Sequence, residues 1–524
     1  MSAACQNTPV LQPSPPSAGR PAGGALDAFR SRVHAGINHP GLPLGLALLH
    51  VALALYEYGR GLNFTFHPDR PERAEWDWYW QVLSRADLLE RPWQSLWHLH
   101  AQPPAFSLWA WLWLHLCGSA HFPASLQFGY ILMGGAVVAM TFELALALTA
   151  SRPWALAAGL LMALNPAVFL YEAYLLYDIP VVFLLTATAW CLWRGLTRGR
   201  RRWLALMILA LNALVLTRSL FHLVFIPLAL AFAWPLWREL RPGRRWAWLA
   251  LALLLPLAWY GKNMAQVGFF GSSSWFGLGW FRCVGHGYSS QELLALSRRG
   301  VIPEMTARFS PYQHTPDQYR VYGFTRQSDV PLLARNDWHN VNVPAISAAY
   351  GRAALRLIEL SPWRYARAIH DSYIKFCQPP ARFEHLDAAR YRYVFWEPLA
   401  AGLLYGKPLT EELELFTRIE LGSLFYFIFP ALILGGALWA WAARRRPGVD
   451  RAGRHRARLM AYLLFASLYV AAVICLFEDS ENMRYRFYIE PLTLVIALTL
   501  VRSLVLLRKG TPPDQPACAG ERNL

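Results

Sequence analysis

Paired cysteines and clustered metal ligands are what this 524-residue chain most plainly lacks. Its seven cysteines (Cys5, Cys117, Cys191, Cys283, Cys377, Cys475 and Cys518) form no CxxC or CxxH group. That excludes the common zinc and dithiol motifs. His98 and His100 have the i, i+2 spacing some metal sites use, but no third ligand stands near them in sequence. No metal and no cofactor is expected. No repeat with a period of about 20 to 50 residues is visible, which argues against solenoids and propellers. Acidic residues are also scarce, 33 against 50 Lys and Arg, for a net charge of +17. In a soluble protein that surplus would suggest nucleic acid. Here the positive residues sit in short loops between apolar blocks, where the positive-inside rule accounts for them, and no nucleic-acid partner is expected.

Apolar sequence is what the chain has instead. It is 55% hydrophobic, with 24 tryptophans, and its hydrophobic residues come in long blocks. The fold class expected is an all-α polytopic membrane protein. The first candidate span covers residues 41–58. Later ones cover 123–148, 154–171, 179–193, 203–216, 220–237, 246–260, 421–442, 459–477 and 489–507. Residues 105–117 (AFSLWAWLWLHLC) are apolar but short for a span of about 20 residues, so a re-entrant or interfacial helix is expected there. With that segment not crossing, about ten spans result. Arg152, the runs 194–202 (RGLTRGRRR), 238–245 (RELRPGRR) and 444–458, and Arg508-Lys509 then share one side with the N-terminal residues. That arrangement obeys the positive-inside rule throughout and puts both termini in the cytoplasm.

The domain plan that follows has five parts. Residues 1–40, rich in Pro, Gly, Ala and Ser, are expected to be a disordered cytoplasmic tail, with no cleaved signal peptide. Residues 41–260 form an N-terminal transmembrane catalytic module that includes an outer loop, 59–122. Residues 261–420 are too long for a plain loop and contain helical patterning at 343–360, so a small, mostly helical extracytoplasmic domain is expected. Residues 421–507 hold the last transmembrane helices, and 508–524 a second cytoplasmic tail.

The outer loop carries the densest chemistry. Residues 73–107 interleave Glu75, Asp77, Arg85, Asp87, Glu90, Arg91, His98 and His100 with six Trp or Tyr rings. Such rings, Tyr79 among them, prefer the headgroup level. Pro103-Pro104 cannot continue a helix but can open one, so a loop with a short surface helix and a restart at Pro104 is expected. Glu75 and Asp77 share a face only if their segment is extended. A carboxylate against aromatic walls can be tuned as a general base, though most loop carboxylates are simply solvated. Asp178, in YDIP, is either an N-terminal helix cap, with Pro180 in the first turn, or a site residue, or both. Arg218, Lys262, Arg484 and Arg486 break the positive-inside pattern on the outer face. Binding an anion, above all a lipid phosphate, is one explanation. Interface snorkelling for Arg218, and pairing with Glu478, Asp479 or Glu481 for Arg484 and Arg486, are the others. If residues 484–486 are extended, both guanidinium groups project to one side of Tyr485. Asn63-Phe64-Thr65 also matches a glycosylation sequon.

Four motifs, in order along residues 41–507, resemble the polytopic C-type glycosyltransferases. That group includes protein O-mannosyltransferases and bacterial lipid A aminoarabinose transferases. The motifs are E-W-D-W-Y-W followed by HAQPPAF, then NPAVFLYEAYLLYDIP, LTRSLFHLVFIP and ENMRYRFYIEPL. The resemblance implies transfer of a sugar from a polyprenyl-phosphate donor to a lipid, glycan or protein acceptor of the envelope. It implies an inverting displacement at the extracytoplasmic face of a bacterial inner membrane. It gives Asp77 the loop-carboxylate role, with Glu75 as the alternative, and gives phosphate binding to Arg484, Arg486, Arg218 and Lys262. Tyr79, His100, Gln102, Asp178 and Tyr485 would contact substrate. Two departures stand out: Trp76 splits the usual Asp-Glu pair, and Gln102 stands where some relatives have a phosphate-binding Lys. A lipid-linked glycan ligase or polymerase with a pyrophosphate donor would share these loops. A transporter or flippase should instead bring charge to mid-membrane, and ionisable residues here lie mostly at span ends, Glu143 and His222 being the near-exceptions.

Overall fold

The computed structural model describes residues 39–63, 82–174, 176–311, 316–324, 342–407, 421–445 and 448–509. Pro43–Leu524 form one compact unit; Met1–Leu42 form another, of which residues 39–42 are described. Every regular element among the described residues is helical. That follows from the solvent: in hydrocarbon each backbone N–H and C=O must be satisfied within its own segment.

The chain opens with α1 (Leu42–Gly59). Two short helices of the first loop follow, α2 (Arg85–Glu90) and α3 (Pro92–His98), then α4 (Ala105–Thr149). Next come α5 (Arg152–Ala163), α6 (Pro166–Glu172), α7 (Asp178–Arg198), α8 (Arg201–Thr217) and α9 (Pro242–Val267). Beyond them lie α10 (Phe276–Gly285), α11 (Val343–Leu360) and α12 (Pro362–Phe376). The chain closes with α13 (Phe425–Arg445), α14 (Arg451–Phe477), α15 (Asn482–Arg486) and α16 (Glu490–Arg508).

Among the described residues six helical runs are long and apolar enough to cross a membrane: α1, α4, α7, α13, α14 and Asn482–Arg508. Counting the bent pair α5–α6 as one span makes seven. Several helices, such as α1, α13 and α16, are apolar on both faces, with Leu48, Leu434 and Leu504 pointing outward. A helix apolar all round belongs in lipid, so this is an integral membrane protein. Ten spans remain an expectation. Residues 203–216 and 246–260 lie within α8 and α9. Residues 220–237 do not form one helix but break into Phe225–Ala231 and Trp234–Arg238, the second opening at Pro235.

The restart at Pro104 is present: Pro104 is the N-cap of α4, and Leu108 N donates to its carbonyl at 2.9 Å. The short apolar segment 105–117 is set apart from the span that follows by Gly118, whose φ of 73° and ψ of 164° interrupt α4. Only glycine takes such a conformation cheaply. The helix expected at 343–360 is α11. It packs with α10 on a core of its own that includes Trp275, Leu278, Phe281, Ile346, Tyr350 and Leu357.

Candidate active site

Three stretches far apart in sequence meet at one place: the α6–α7 turn, the end of α8, and α15. Asp178 is the first residue of α7, behind the N-cap Tyr177, and is fully buried. Its carboxylate accepts from Arg484 Nε and Nη2, each at 2.9 Å, and from Tyr488 Oη at 2.9 Å. Arg484 Nη1 also donates to Glu481 Oε2 at 2.7 Å. This is the bidentate geometry a guanidinium suits best. The cap position falls to Tyr177, so Asp178 is not the helix cap the sequence suggested; it opens the first turn and its carboxylate is committed to Arg484 and Tyr488.

The 484–486 segment is helical, so the extended arrangement expected from the sequence does not form. Residues two apart on a helix diverge by about 200°. Arg486 accordingly points elsewhere. It is fully buried, with Nη2 donating to Glu490 Oε2 at 2.8 Å and its guanidinium 4.2 Å over the Tyr405 ring and 4.0 Å over Phe425. Of the anticipated pairing partners Glu481 is used; Asp178 and Glu490 were not foreseen.

Arg218 follows α8 and is buried between two rings, 4.2 Å from the Tyr177 centroid and 5.1 Å from that of Tyr485. It donates to both hydroxyls, with Nη2 at 2.5 Å from Tyr485 Oη. It is therefore not snorkelling into water. Lys262, near the end of α9, reaches the Leu99 carbonyl at 2.5 Å and lies 3.8 Å over the Trp259 ring. His100 Nδ1 is 2.8 Å from Ser274 Oγ, and Ser274 N donates to the His100 carbonyl at 3.0 Å. Ser273 Oγ donates to the Ala101 carbonyl at 2.5 Å. These bonds fasten the segment before Pro103 to the stretch between α9 and α10. Glu75, Asp77 and Tyr79 lie outside the described residues.

A cavity of about 600 Å³ opens beside this cluster. Its lining mixes apolar side chains, Leu220, Phe269, Phe270, Phe276, Val473 and Phe477 among them, with polar ones, Gln102, Arg218, Ser273, Arg282, Glu478, Glu481 and Tyr485. Gln102 is buried, and its Oε1 has no hydrogen-bond partner among the described residues. Burial would raise the Glu481 carboxyl, but Arg484, Arg218 and Arg282 outweigh it and hold Glu481 below the usual range. A second cavity of about 760 Å³, more polar, shares Arg282 and Ser480 with the first. The turn between them is anchored from α12: Lys375 Nζ donates to the Asp479 carboxylate at 2.9 Å, and Ser372 Oγ to the Glu478 carbonyl at 2.8 Å. Arg282 and Glu481 were not picked out as site residues from the sequence. A lone arginine within FGLGWFRCVG was the available signal for the first. Chemically, the cavity offers aromatic and aliphatic surface together with guanidinium, hydroxyl and carboxylate groups. That fits an amphiphile with an anionic head.

Residues 121–262 match the family described as "Dolichyl-phosphate-mannose-protein mannosyltransferase". No curated protein matches this chain. Among solved structures, ArnT from Cupriavidus metallidurans bound to undecaprenyl phosphate is similar at 14% identity and a TM-score of 0.33. The apo state of the same protein is similar at 16% identity and the same TM-score. In both cases the likeness covers 89% of this chain and 80% of the other. Such scores give no residue-by-residue correspondence. The family segment contains Asp178, Arg218 and Lys262.

Proposed function

We propose that this chain, a membrane glycosyltransferase by the family segment it carries, moves one sugar from a polyprenyl-phosphate donor to an acceptor hydroxyl at the extracytoplasmic face of a bacterial inner membrane, with both termini in the cytoplasm. The observation that carries the proposal is the cavity lined by both apolar side chains and the buried Arg218. Its aromatic and aliphatic residues suit a prenyl chain, and a buried guanidinium suits a phosphate monoester. The family description, which names a dolichyl-phosphate sugar donor, supports the same class.

In this scheme the sugar phosphate lies with its tail along Phe269, Phe270 and Phe477 and its head toward Arg218 and Arg282. Arg218 is pre-ordered by Tyr177 and Tyr485, so little reorganisation is needed as charge develops on the leaving phosphate. Arg484 serves one step back: locked to Asp178 and Glu481, it fixes the turn that presents Tyr485. Gln102, whose carbonyl oxygen has no partner among the described residues, hydrogen-bonds the sugar. Asp77, or Glu75, takes the acceptor proton as the hydroxyl attacks the anomeric carbon from the side opposite the phosphate, which inverts that centre.

The deciding experiment is binding of undecaprenyl phosphate and undecaprenyl pyrophosphate to the purified protein, wild type and Arg218→Ala. The monophosphate should bind, and the substitution should weaken it. Preference for the pyrophosphate would favour a ligase or polymerase, and binding of neither would end the donor assignment.

A further inference from the structure

A buried ionisable pair lies away from the cavity, at the break between α5 and α6. These helices meet at 44°, with Asn165 Oδ1 accepting from Ala167 N at 3.0 Å to start α6. His50, on α1, reaches both sides of the break. Its Nδ1 is 2.9 Å from the Ala163 carbonyl at the end of α5, and its Nε2 is 2.8 Å from Glu172 Oε1 at the end of α6. Both side chains are buried, and Glu172 Oε2 has no partner among the described residues.

The geometry sets the protonation. A carbonyl only accepts, so Nδ1 must carry hydrogen. The contact between Nε2 and Oε1 then needs one more proton, on the ring or on the carboxyl. Without it two lone pairs would face each other in an enclosed place. Room for the pair comes from α4. A Cβ on Gly134 would lie 1.9 Å from Glu172 Oε1 and 3.0 Å from His50 Nε2. One residue on, a Cβ on Gly135 would lie 2.9 Å from Val51 of α1. The two glycines let α1 approach closely enough for His50 to reach.

The residues on either side of Glu172 lead into the site. Just before it, Tyr171 stacks on Phe487 at 4.4 Å and donates to the Pro380 carbonyl at 3.2 Å. The Tyr174 ring lies 5.3 Å from the Arg484 guanidinium, and Tyr177 and Asp178 hold Arg218 and Arg484. We propose that His50 and Glu172 share a single buried proton and act as positioning residues, gripping both sides of the α5–α6 break so that Tyr177 and Asp178 meet Arg218 and Arg484.

Hydrogen–deuterium exchange on the full-length protein in nanodiscs, without ligand, tests this. Gly134→Ala pushes the carboxyl away without altering either partner, and His50→Phe removes the grip. Both should speed exchange of the amides of residues 174–179 about tenfold or more and leave α14 as in wild type. Glu172→Gln keeps the shape and can donate to Nε2, so it should match wild type, while Glu172→Leu should not. Unchanged exchange in Gly134→Ala, a uniform rise over the whole bundle, or Glu172→Gln behaving like Glu172→Leu would overturn the proposal. The consequence for donor binding rests on the proposed function: Gly134→Ala should weaken undecaprenyl phosphate binding about tenfold, and Glu172→Gln should not. Failure of the wild type to bind that lipid would count against the donor assignment alone, since the exchange experiment contains no ligand.

Discussion

Asp178→Asn should destabilise the protein before it does anything else. Asp178 is fully buried and accepts three hydrogen bonds at 2.9 Å, two of them from Arg484, whose side chain is itself only 3% exposed. Asparagine keeps one acceptor oxygen but loses the charge, and its amide turns a donor toward a guanidinium N–H. Breaking a buried ion pair from one side typically costs about 3–5 kcal/mol, because the partner is left uncompensated. Glu481, on the other side of Arg484 at 2.7 Å, retains part of the neutralisation, so the low end, about 3 kcal/mol, is expected here. The assay is reversible unfolding in mixed micelles titrated with SDS. Asp178→Leu with Arg484→Met in one chain should cost less than the two single changes added together, by roughly 1–3 kcal/mol, since neither charge is then orphaned. A wild-type unfolding midpoint for Asp178→Asn, or strict additivity in the double variant, would refute the assignment of this pair to the fold.

The guanidinium facing the cavity should behave differently. Arg218→Lys should weaken undecaprenyl phosphate binding about tenfold and Arg218→Ala about a hundredfold, from the roughly 1.5–3 kcal/mol of a charged hydrogen bond; equal loss of stability with unchanged affinity would remove it from the donor site. Asp77→Asn should cut the transfer rate about a hundredfold to ten-thousandfold while donor binding persists; if Glu75→Gln is the inactive variant instead, the base is Glu75. In a cysteine-free background, cysteines at the exposed Ser119 and Ser290 should react with an impermeant reagent from the extracytoplasmic side; labelling of Ser119 only from the cytoplasm would make residues 105–117 a crossing helix. Glu481 is held below the ordinary glutamate value of about 4.3. Its stabilisation is present above that pH and is lost as pH falls through the lower folded value, so Glu481→Gln should flatten the acid limb of the unfolding midpoint and leave its shape near neutrality unchanged.

Local signals in the sequence survived folding well. Pro104 opens α4 because proline suits a helix start and no helix interior, and α11 fills 343–360 because its apolar residues recur at helical spacing. Arg218 and Arg484 stood out as charges that break the positive-inside pattern, Asp178 as a carboxylate at a helix start, and Gln102 through the family resemblance; Arg218, Gln102 and Tyr485 line one cavity, while Arg484 and Asp178 pair with each other. What failed was the local conformation at 484–486, where five residues too few to show a period form a helical turn. That turn separates Arg486 from Arg484 and gives the two arginines different partners.

The sequence alone determined that the chain is a bundle of apolar helices, because long stretches with almost no charge leave no other way to satisfy a backbone in lipid. It also determined which few polar residues needed a reason to be there. Only the tertiary structure decided whom each one meets. Arg484 finds Asp178 across 306 residues of chain and His50 finds Glu172 across 122. Neither distance leaves a trace in composition or spacing. A buried charge is held by whichever opposite charge the packing of the helices brings within about 3 Å, and that is a property of the assembled fold.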